Sequence, residues 1–483
     1  MVPPSFYARW RSSALGVDTL REAGKEALPP ERLLQQIWFH QRLLRGQLLT
    51  ADGHRVRVLH PGFWCREGGP DFRQAVVQFG DDSPRSGDVE VDLVAANWRA
   101  HAHDRNPAFR GVILHVVWEG AARDPQAPPV LSVKTRLDAP LEELSLWLGS
   151  EAAQILPSAQ TGQCHGPLGG LAAGPVVELL RQAAQARLQA KAHQLQARAR
   201  QVGCEQALWE GLFRALGYKH NAWPMQRVAE LLPEVLARDR PGDQALLALQ
   251  SRLLGVSGLL PTELPRRDAG RASPYFRQVW DNWWRAREAF SDLVLPRAVW
   301  RFHGLRPNNQ PQRRLALAAH WLAAGGLSTR LERWLKDSTA DQSLAGSLLQ
   351  QLQVDPDPFW SWHWSLSSPR LAQPQPLLGE KRLTDLAMNV VLPWFWMRTA
   401  AGQNADLQCR VEQRYFAWPR GEDNAVLRLA RQRLFGGASP PLPRTAAMQQ
   451  GVLQIVRDFC DHANAVCDQC GFPELVNDLK NHC

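Results

Sequence analysis

The sequence predicts an α/β domain at the N-terminus followed by a large all-α domain, and three observations carry that prediction. Short alternating runs such as Val89, Val91 and Leu93 against Asp88, Glu90 and Asp92 occupy the region before residue 140. Beyond it, segments of about 10–20 residues space Leu, Ala, Trp and Arg at helical intervals, with Gly and Pro breaks between them. At 483 residues the chain also exceeds what one hydrophobic core organises. The expected division is 1–140, 141–440 and a C-terminal helix with cysteines at 441–483.

Taken in order, Pro29-Pro30-Glu31 followed by Leu33, Leu34, Ile37 and Trp38 reads as a helix opened by proline, with Glu31 in its first turn. Gly69-Pro70-Asp71-Phe72 leads into the apolar strand containing Ala75, Val76 and Val77. A turn at Asp81–Gly87 returns the chain through Asp88-Val89-Glu90-Val91-Asp92. Alternation puts Glu90 and Asp92 on one face and Val89 and Val91 on the other, and Asp71 reaches the polar face from the start of the neighbouring strand. Converging carboxylates of this kind suit Mg²⁺ or Mn²⁺. A solvated sheet surface shows the same alternation, so the pattern is compatible with either.

The next segment, Asn97-Trp98-Arg99-Ala100-His101-Ala102-His103-Asp104, brings imidazoles two residues apart close in sequence to the carboxylates. His101, His103 and Asp104 are candidates for proton transfer or transition-metal binding, or for capping a loop. His115, inside the apolar strand Val112–Trp118, reads as a satisfied histidine of a buried strand. A further apolar segment, Val130-Leu131-Ser132-Val133, ends on Lys134.

In the helical part the expected segments include Glu205–Leu216, Trp223–Ala237, Asp243–Leu254, Tyr275–Phe290, Gln312–Ala324, Leu344–Leu352, Leu383–Thr399 and Ala425–Phe435. Breaks are expected at Gly166–Gly174, Pro261–Pro265 and Ser439–Pro443. No internal repeat is evident. From Leu179 to Cys204 there is no Asp or Glu, while Arg181, Arg187, Lys191, Arg198 and Arg200 are present, so this helix is a candidate phosphate-facing surface or a solvated connecting helix. Arg306-Pro307-Asn308-Asn309-Gln310-Pro311-Gln312-Arg313-Arg314 opens a helix with prolines and cations, either as an anion site or as arginines that tie loops together. Among the 20 tryptophans, most read as helix-packing residues, with base stacking as the alternative. The net charge of +9 adds weight to a polyanionic partner, DNA or RNA, without specifying one.

Four of the eight cysteines, Cys460, Cys467, Cys470 and Cys483, fall near the C-terminus. Cys-x-x-Cys at Cys467–Cys470 lets two thiolates bind one soft metal, zinc ahead of iron–sulfur, with plain thiols or a redox pair as the alternative. Cys65, next to the acidic hairpin, is a conceivable distant ligand. Other chemistries are disfavoured: no phosphate-loop Gly-x-x-x-x-Gly-Lys-Ser/Thr, no Gly-x-Ser-x-Gly and no His-Glu-x-x-His is present. No run of about 18 apolar residues occurs, so no membrane partner and a cytoplasmic location are expected.

The order of Glu31, Pro70-Asp71 and Glu90-Val91-Asp92 resembles the PD-(D/E)XK nuclease superfamily. That resemblance implies a restriction-endonuclease-like mixed sheet with flanking helices and a metal-dependent nuclease. Asp71 and Glu90 would hold Mg²⁺ or Mn²⁺, with Glu31, Asp92, His101 and His103 completing the catalytic set. Arg187, Lys191, Arg306, Arg313 and Arg314 would then contact nucleic acid. Asp92 stands where that pattern places lysine, so Lys134, His101 or His103 must supply the missing function, or the site is inactive and the protein is a nucleic-acid or protein-binding scaffold. A small-molecule hydrolase built on His101, His103 and Asp104 is a third class. The chain also resembles, over essentially its full length, an uncharacterised bacterial family of unknown function. The matching residues include Gly69-Pro70-Asp71-Phe72, Trp98 with His101 and His103, Leu216-Gly217-Tyr218-Lys219-His220-Asn221 and the segment Arg306–Pro311 with Arg313-Arg314. Members of that family tend to carry histidine where Asp92 stands.

Overall fold

A strand that alternates Val with Asp and Glu needs one apolar and one polar neighbour layer, and the chain supplies both. The computed structural model describes residues 6–14, 28–65, 68–121, 126–148, 161–218, 220–238, 246–263, 273–337, 343–436, 442–460 and 467–482. Helices α1 (Phe6–Ala14) and α2 (Glu31–Phe39) precede strands β1 (Val56–His60), β2 (Phe63–Trp64), β3 (Phe72–Phe79) and β4 (Arg85–Val94). The short helix α3 (Asn97–Ala100) then leads to β5 (Val112–Glu119), β6 (Val130–Ser132) and α4 (Leu141–Trp147). The sheet order is β1-β3-β4-β5-β6, with β2 also on β3; β1, β2 and β4 run antiparallel to β3, whereas β5 and β6 run parallel to β4. The N-terminal part is therefore an α/β unit with a mixed sheet.

Parallel neighbours need a crossover. Between β4 and β5 the chain makes it with residues 95–111, a loop carrying α3 and a 3₁₀ turn at Pro107–Phe109. On one face of the sheet Val89, Val91, Leu114 and Val116 pack against Leu34, Ile37 and Trp38 of α2 and Leu144 of α4. The crossover covers the opposite face of β4, which carries Glu90 and Asp92.

The helical region begins with α5 (His165–Gly169), α6 (Ala173–Val202), α7 (Cys204–Leu216), α8 (Ala222–Glu230), α9 (Leu232–Ala237), α10 (Leu246–Val256) and α11 (Pro274–Ala286). It continues with α12 (Pro311–Ala324), α13 (Leu327–Lys336), α14 (Leu344–Leu352), α15 (Glu380–Leu386), α16 (Leu392–Ala401), α17 (Ala405–Ala417), α18 (Ala425–Phe435), α19 (Ala446–Ile455) and α20 (Phe472–His482). The expected break at Gly166–Gly174 is partly helical, because Cys164 and Leu168 are buried and anchor α5. The single expected segment Leu383–Thr399 is interrupted by a π-turn at Ala387–Val391.

Helix α6 is the hub of this region. Ten of its residues are buried, so one face of it packs into the body, while Arg181 and Arg200 stay exposed. Two of its cations are met by neighbouring elements: Arg198 pairs with Glu210 at 2.7 Å, and Arg187 donates to Gln450 Oε1 at 2.6 Å. Leu59 and Val76 of the sheet join the large helical core, so the sheet and the helices share one apolar contact surface. A third apolar cluster links Tyr7 of α1 to α5, α18, α19 and α20, and Tyr7 Oη donates to buried Asp458 at 2.8 Å.

Candidate active site

Glu90 and Asp92 are 8% and 2% exposed, which overturns a solvated surface as the explanation for this strand. Two local features turn the crossover's imidazoles onto them. Ala102 adopts a left-handed φ of 57°, reversing the chain between His101 and His103. Phe109 then stacks on the His103 ring at 4.0 Å, and Trp98 meets it edge-on at 5.4 Å.

His103 is 9% exposed, and its Nδ1 lies 3.7 Å from Glu90 Oε1, beyond hydrogen-bond reach. That nitrogen has no hydrogen-bond partner among the described residues. Leaving such a group unsatisfied costs on the order of 1–3 kcal/mol. Glu90, Asp92 and His103 each offer one ligand atom, and the three atoms lie within 4.8 Å of one another. Small side-chain rotations bring such a trio onto one cation with bonds of about 2 Å.

The remaining groups brace this trio. Ladder register sets Phe72 opposite Val89, so Asp71 lies beside Glu90. The Asp71 amide donates to Glu90 Oε2 at 3.1 Å, Asp71 Oδ2 accepts from the Val91 amide at 3.1 Å, and Oδ1 accepts from Gln35 Nε2 at 2.8 Å. The same Gln35 amide reaches Glu31 Oε1 at 3.4 Å, which places Glu31 at the rim. Asp92 Oδ2 bonds His115 Nε2 at 2.9 Å, while Asp92 Oδ1 accepts from Asn97 Nδ2 at 3.4 Å and faces His101 Nδ1 at 3.5 Å. Half of the His101 side chain remains open to solvent.

Electrostatics match this crowding. Burial, reinforced by the Asp71 charge, pushes Glu90 up to about 8. Burial also pushes Asp71 up to about 7, against the hydrogen bonds from Gln35 and Val91. Burial lowers His103, which keeps its ring neutral and able to donate a lone pair. Carboxyls this reluctant to ionise together are the expected companions of a cation.

The structure thus brings together Glu31, Asp71, Glu90, Asp92, His101 and His103. His115 is satisfied, as its strand position suggests, but by Asp92, so it belongs to the site as the group that orients a carboxylate. The sequence reading gave no site role to Gln35, Asn97, Trp98 and Phe109; for Gln35 the available signal was its spacing four residues after Glu31, on one helix face. Lys134 does not stand in for the missing lysine. It pairs with Glu119 at 2.5 Å, and Glu119 sits opposite Val94, four residues along β5 from His115. Asp104 is exposed and lies 3.7 Å from Arg105, outside the trio.

The proposed nucleic-acid arginines separate sharply. Arg313 and Arg314 are buried and turned inward: Arg313 donates to the carbonyls of His363, Gln375 and Pro376, and Arg314 to Leu377 O and Asn309 Oδ1. Burial pulls them down to about 10 and about 9, the opposite of a phosphate clamp. Arg306 is exposed. Lys191 lines a cavity of about 570 Å³ between the segment that follows α2 and the helical region, together with Arg42, Arg198, Arg382 and Tyr218. Of the terminal cysteines, Cys460, Cys467 and Cys470 are described and Cys483 lies outside the described residues. Cys65 follows β2, in the α/β unit.

Fold and site define a two-part protein: a mixed-sheet α/β unit with a buried carboxylate and imidazole cluster, carried on a helical body. The chain belongs to the family described as protein of unknown function (DUF2851), which matches residues 31–423. No curated protein and no solved structure matches the chain. Among the described residues, no helix is long and apolar enough to cross a membrane.

Proposed function

We propose that the protein is a metal-dependent nuclease that hydrolyses phosphodiester bonds of DNA or RNA at the pocket floored by Glu90, Asp92 and His103. The observation that carries this reading is the unpartnered, buried His103 Nδ1 aimed at two buried carboxylates that share one strand face. The strand plan supports it: Pro70-Asp71 leads the second strand of an antiparallel run, Glu90-Val91-Asp92 lies on the third, and a parallel strand follows a crossover. A mixed sheet with flanking helices is what the resemblance to PD-(D/E)XK nucleases implies.

Residues of the chain divide the work. Glu90, Asp92 and His103 would hold the cation, and an imidazole in the set favours Mn²⁺ over Mg²⁺. A cation held there supplies Lewis-acid polarisation of the phosphate and a more acidic bound water. Asp71 positions Glu90 through its amide, and His115 positions Asp92. His101, half exposed and 3.5 Å from Asp92, is placed to carry a proton between the pocket and solvent. Exposed Arg105 and Arg110, on the same crossover, offer cations for substrate phosphates that the buried Arg313 and Arg314 cannot.

Single- and double-stranded DNA and RNA incubated with Mn²⁺, Mg²⁺ or chelator test the proposal. Cleavage that requires metal and vanishes in Glu90→Gln and Asp92→Asn supports it, and absence of cleavage with every metal and substrate overturns it. The second reading, a scaffold that binds nucleic acid or protein without cutting, draws on the aspartate at the lysine position; binding without cleavage in the same assay would establish it.

A further inference from the structure

The chain leaves α2 at the end opposite the acidic cluster, and the turn that follows carries a different chemistry. Glu31 sits in the first turn of α2, whereas His40, Gln41 and Arg42 follow its last, roughly 13 Å further on at about 1.5 Å per residue. Gln41 takes a left-handed φ of 49°, after which Leu43 forms a bridge with Leu137. The Leu44 amide donates to Arg136 O at 2.7 Å and the Asp138 amide to Arg42 O at 3.2 Å. This pairing fixes Gln41 and Arg42 in the wall of the cavity of about 570 Å³, whose other walls come from α6, α7 and α15.

Two side chains in that wall are almost wholly buried and incompletely bonded. The Arg42 side chain is 6% exposed, and its Nε reaches both Asp138 carboxylate oxygens, at 3.0 and 2.8 Å. Neither Nη1 nor Nη2 has a hydrogen-bond partner among the described residues, and no other buried guanidinium among them has both terminal nitrogens bare. Gln41 is 3% exposed; its Nε2 donates to Trp38 O at 2.7 Å, and its Oε1 is bare. Polar groups left unmet at this depth carry a penalty that a bound molecule removes. The arginine fork suits two oxygens of one phosphate, and the glutamine oxygen suits a hydroxyl or amino hydrogen.

Charge selects the sign of the ligand. Arg42, Arg45, Lys191, Arg198, Arg214 and Arg382 line the cavity against three carboxylates, Asp138, Glu210 and Asp385, a surplus of three positive charges. Glu230, which pairs with Arg45 from outside the lining, does not cancel that surplus, because it also pairs with Arg227 at 2.9 Å. A cationic wall of this kind concentrates anions. Tyr218, 44% exposed and held at a left-handed φ of 55°, sets its ring at the mouth, with the Arg382 guanidinium 4.5 Å from the ring centroid. An exposed aromatic ring offers a base a stacking face. The volume also falls within the range of about 300–1,000 Å³ that small-molecule sites occupy. We propose that this cavity binds a nucleoside phosphate, with Arg42 on the phosphate, Gln41 Oε1 on a hydroxyl and Tyr218 against the base.

The test is calorimetry on the full chain at about 0.15 M salt. Chelator keeps metal away from Glu90, Asp92 and His103, so the outcome does not depend on whether the acidic cluster cuts nucleic acid. The probes are AMP, GMP, CMP and UMP, the matching nucleosides, and inorganic phosphate. At least one nucleotide should bind at a single site, at least about tenfold tighter than its nucleoside and than inorganic phosphate. Arg42→Lys, which keeps a charge beside Asp138 but removes the fork, should weaken that nucleotide by roughly tenfold or more, and Tyr218→Ala by about fivefold. Arg333→Gln, at an exposed cation outside the lining, should leave it unchanged. If Arg42→Lys does not fold, Lys191→Gln on α6 reads the same loss. No nucleotide binding, inorganic phosphate or nucleoside bound as tightly as nucleotide, or affinity retained in Arg42→Lys or Lys191→Gln would overturn the proposal.

Discussion

Two clusters of buried charge stand in this molecule, and they are finished to different degrees. Around Arg313 and Arg314, the guanidinium donors reach four backbone carbonyls and an asparagine side chain, and the arginines tie the loop around His363–Leu377 to α12. Around Glu90 and Asp92, by contrast, two carboxylates and an imidazole face one another, and His103 Nδ1 meets no donor or acceptor among the described residues. The first cluster is a structural clamp. Arg313 Nε and Arg314 Nε are also buried without a hydrogen-bond partner among the described residues, so a bare nitrogen alone does not mark the site; what marks the second cluster is that its bare nitrogen faces two carboxylates instead of backbone carbonyls.

The largest expected effect separates the clamp from the pocket. Arg314→Leu removes the group that satisfies Leu377 O and Asn309 Oδ1, and should cost about 3 kcal/mol in urea unfolding while leaving Mn²⁺ affinity unchanged. Asp92→Asn should do the reverse. We expect at least a roughly hundredfold fall in Mn²⁺ affinity by calorimetry, with metal-free stability held or improved. If the two variants behaved alike, the comparison would fail.

A smaller effect tests the bracing. His115→Asn should weaken Mn²⁺ binding about tenfold, since it loosens a ligand without removing one. An unchanged dissociation constant would reduce His115 to packing.

The last effect is a slope. Folding raises the Glu90 carboxyl from its ordinary 4.5 to about 8, so between those pH values the folded chain holds a proton that the unfolded chain has released. Stability contributed by that proton is present below about 4.5 and is lost as pH rises toward 8. The metal-free wild type should therefore lose stability across this window relative to Glu90→Gln, and Mn²⁺ should restore it most at the alkaline end. Parallel denaturation curves of the two proteins across the window would contradict the burial of Glu90.

How much of this was legible beforehand depended on distance along the chain. Glu90 and Asp92 were readable because a strand's period of two is a property of adjacent residues, and the Pro-opened helix at Glu31 was readable from its first turn. The burial of that acidic face was not, since it required a crossover to close over the sheet and Ala102 to take an uncommon backbone conformation. Arg313 and Arg314 misled because Arg beside a proline-opened helix looks the same in sequence whether its partner is a phosphate or a buried carbonyl. The acid-free stretch of α6 hid one such partner, since Glu210, which pairs with Arg198, arrives from another helix.

The sequence by itself determined the α/β and all-α halves, the polar face of β4 and the thiol pair at Cys467 and Cys470, because each follows from spacing within a few residues. Only tertiary structure decided that His103 points unpartnered at Glu90, that His115 orients Asp92, and that Cys164 shares an apolar cluster with Cys460. Local periodicity sets which face a side chain takes. Which groups that face then meets depends on long-range packing, and there the burial of apolar surface outweighs any preference of the polar groups themselves.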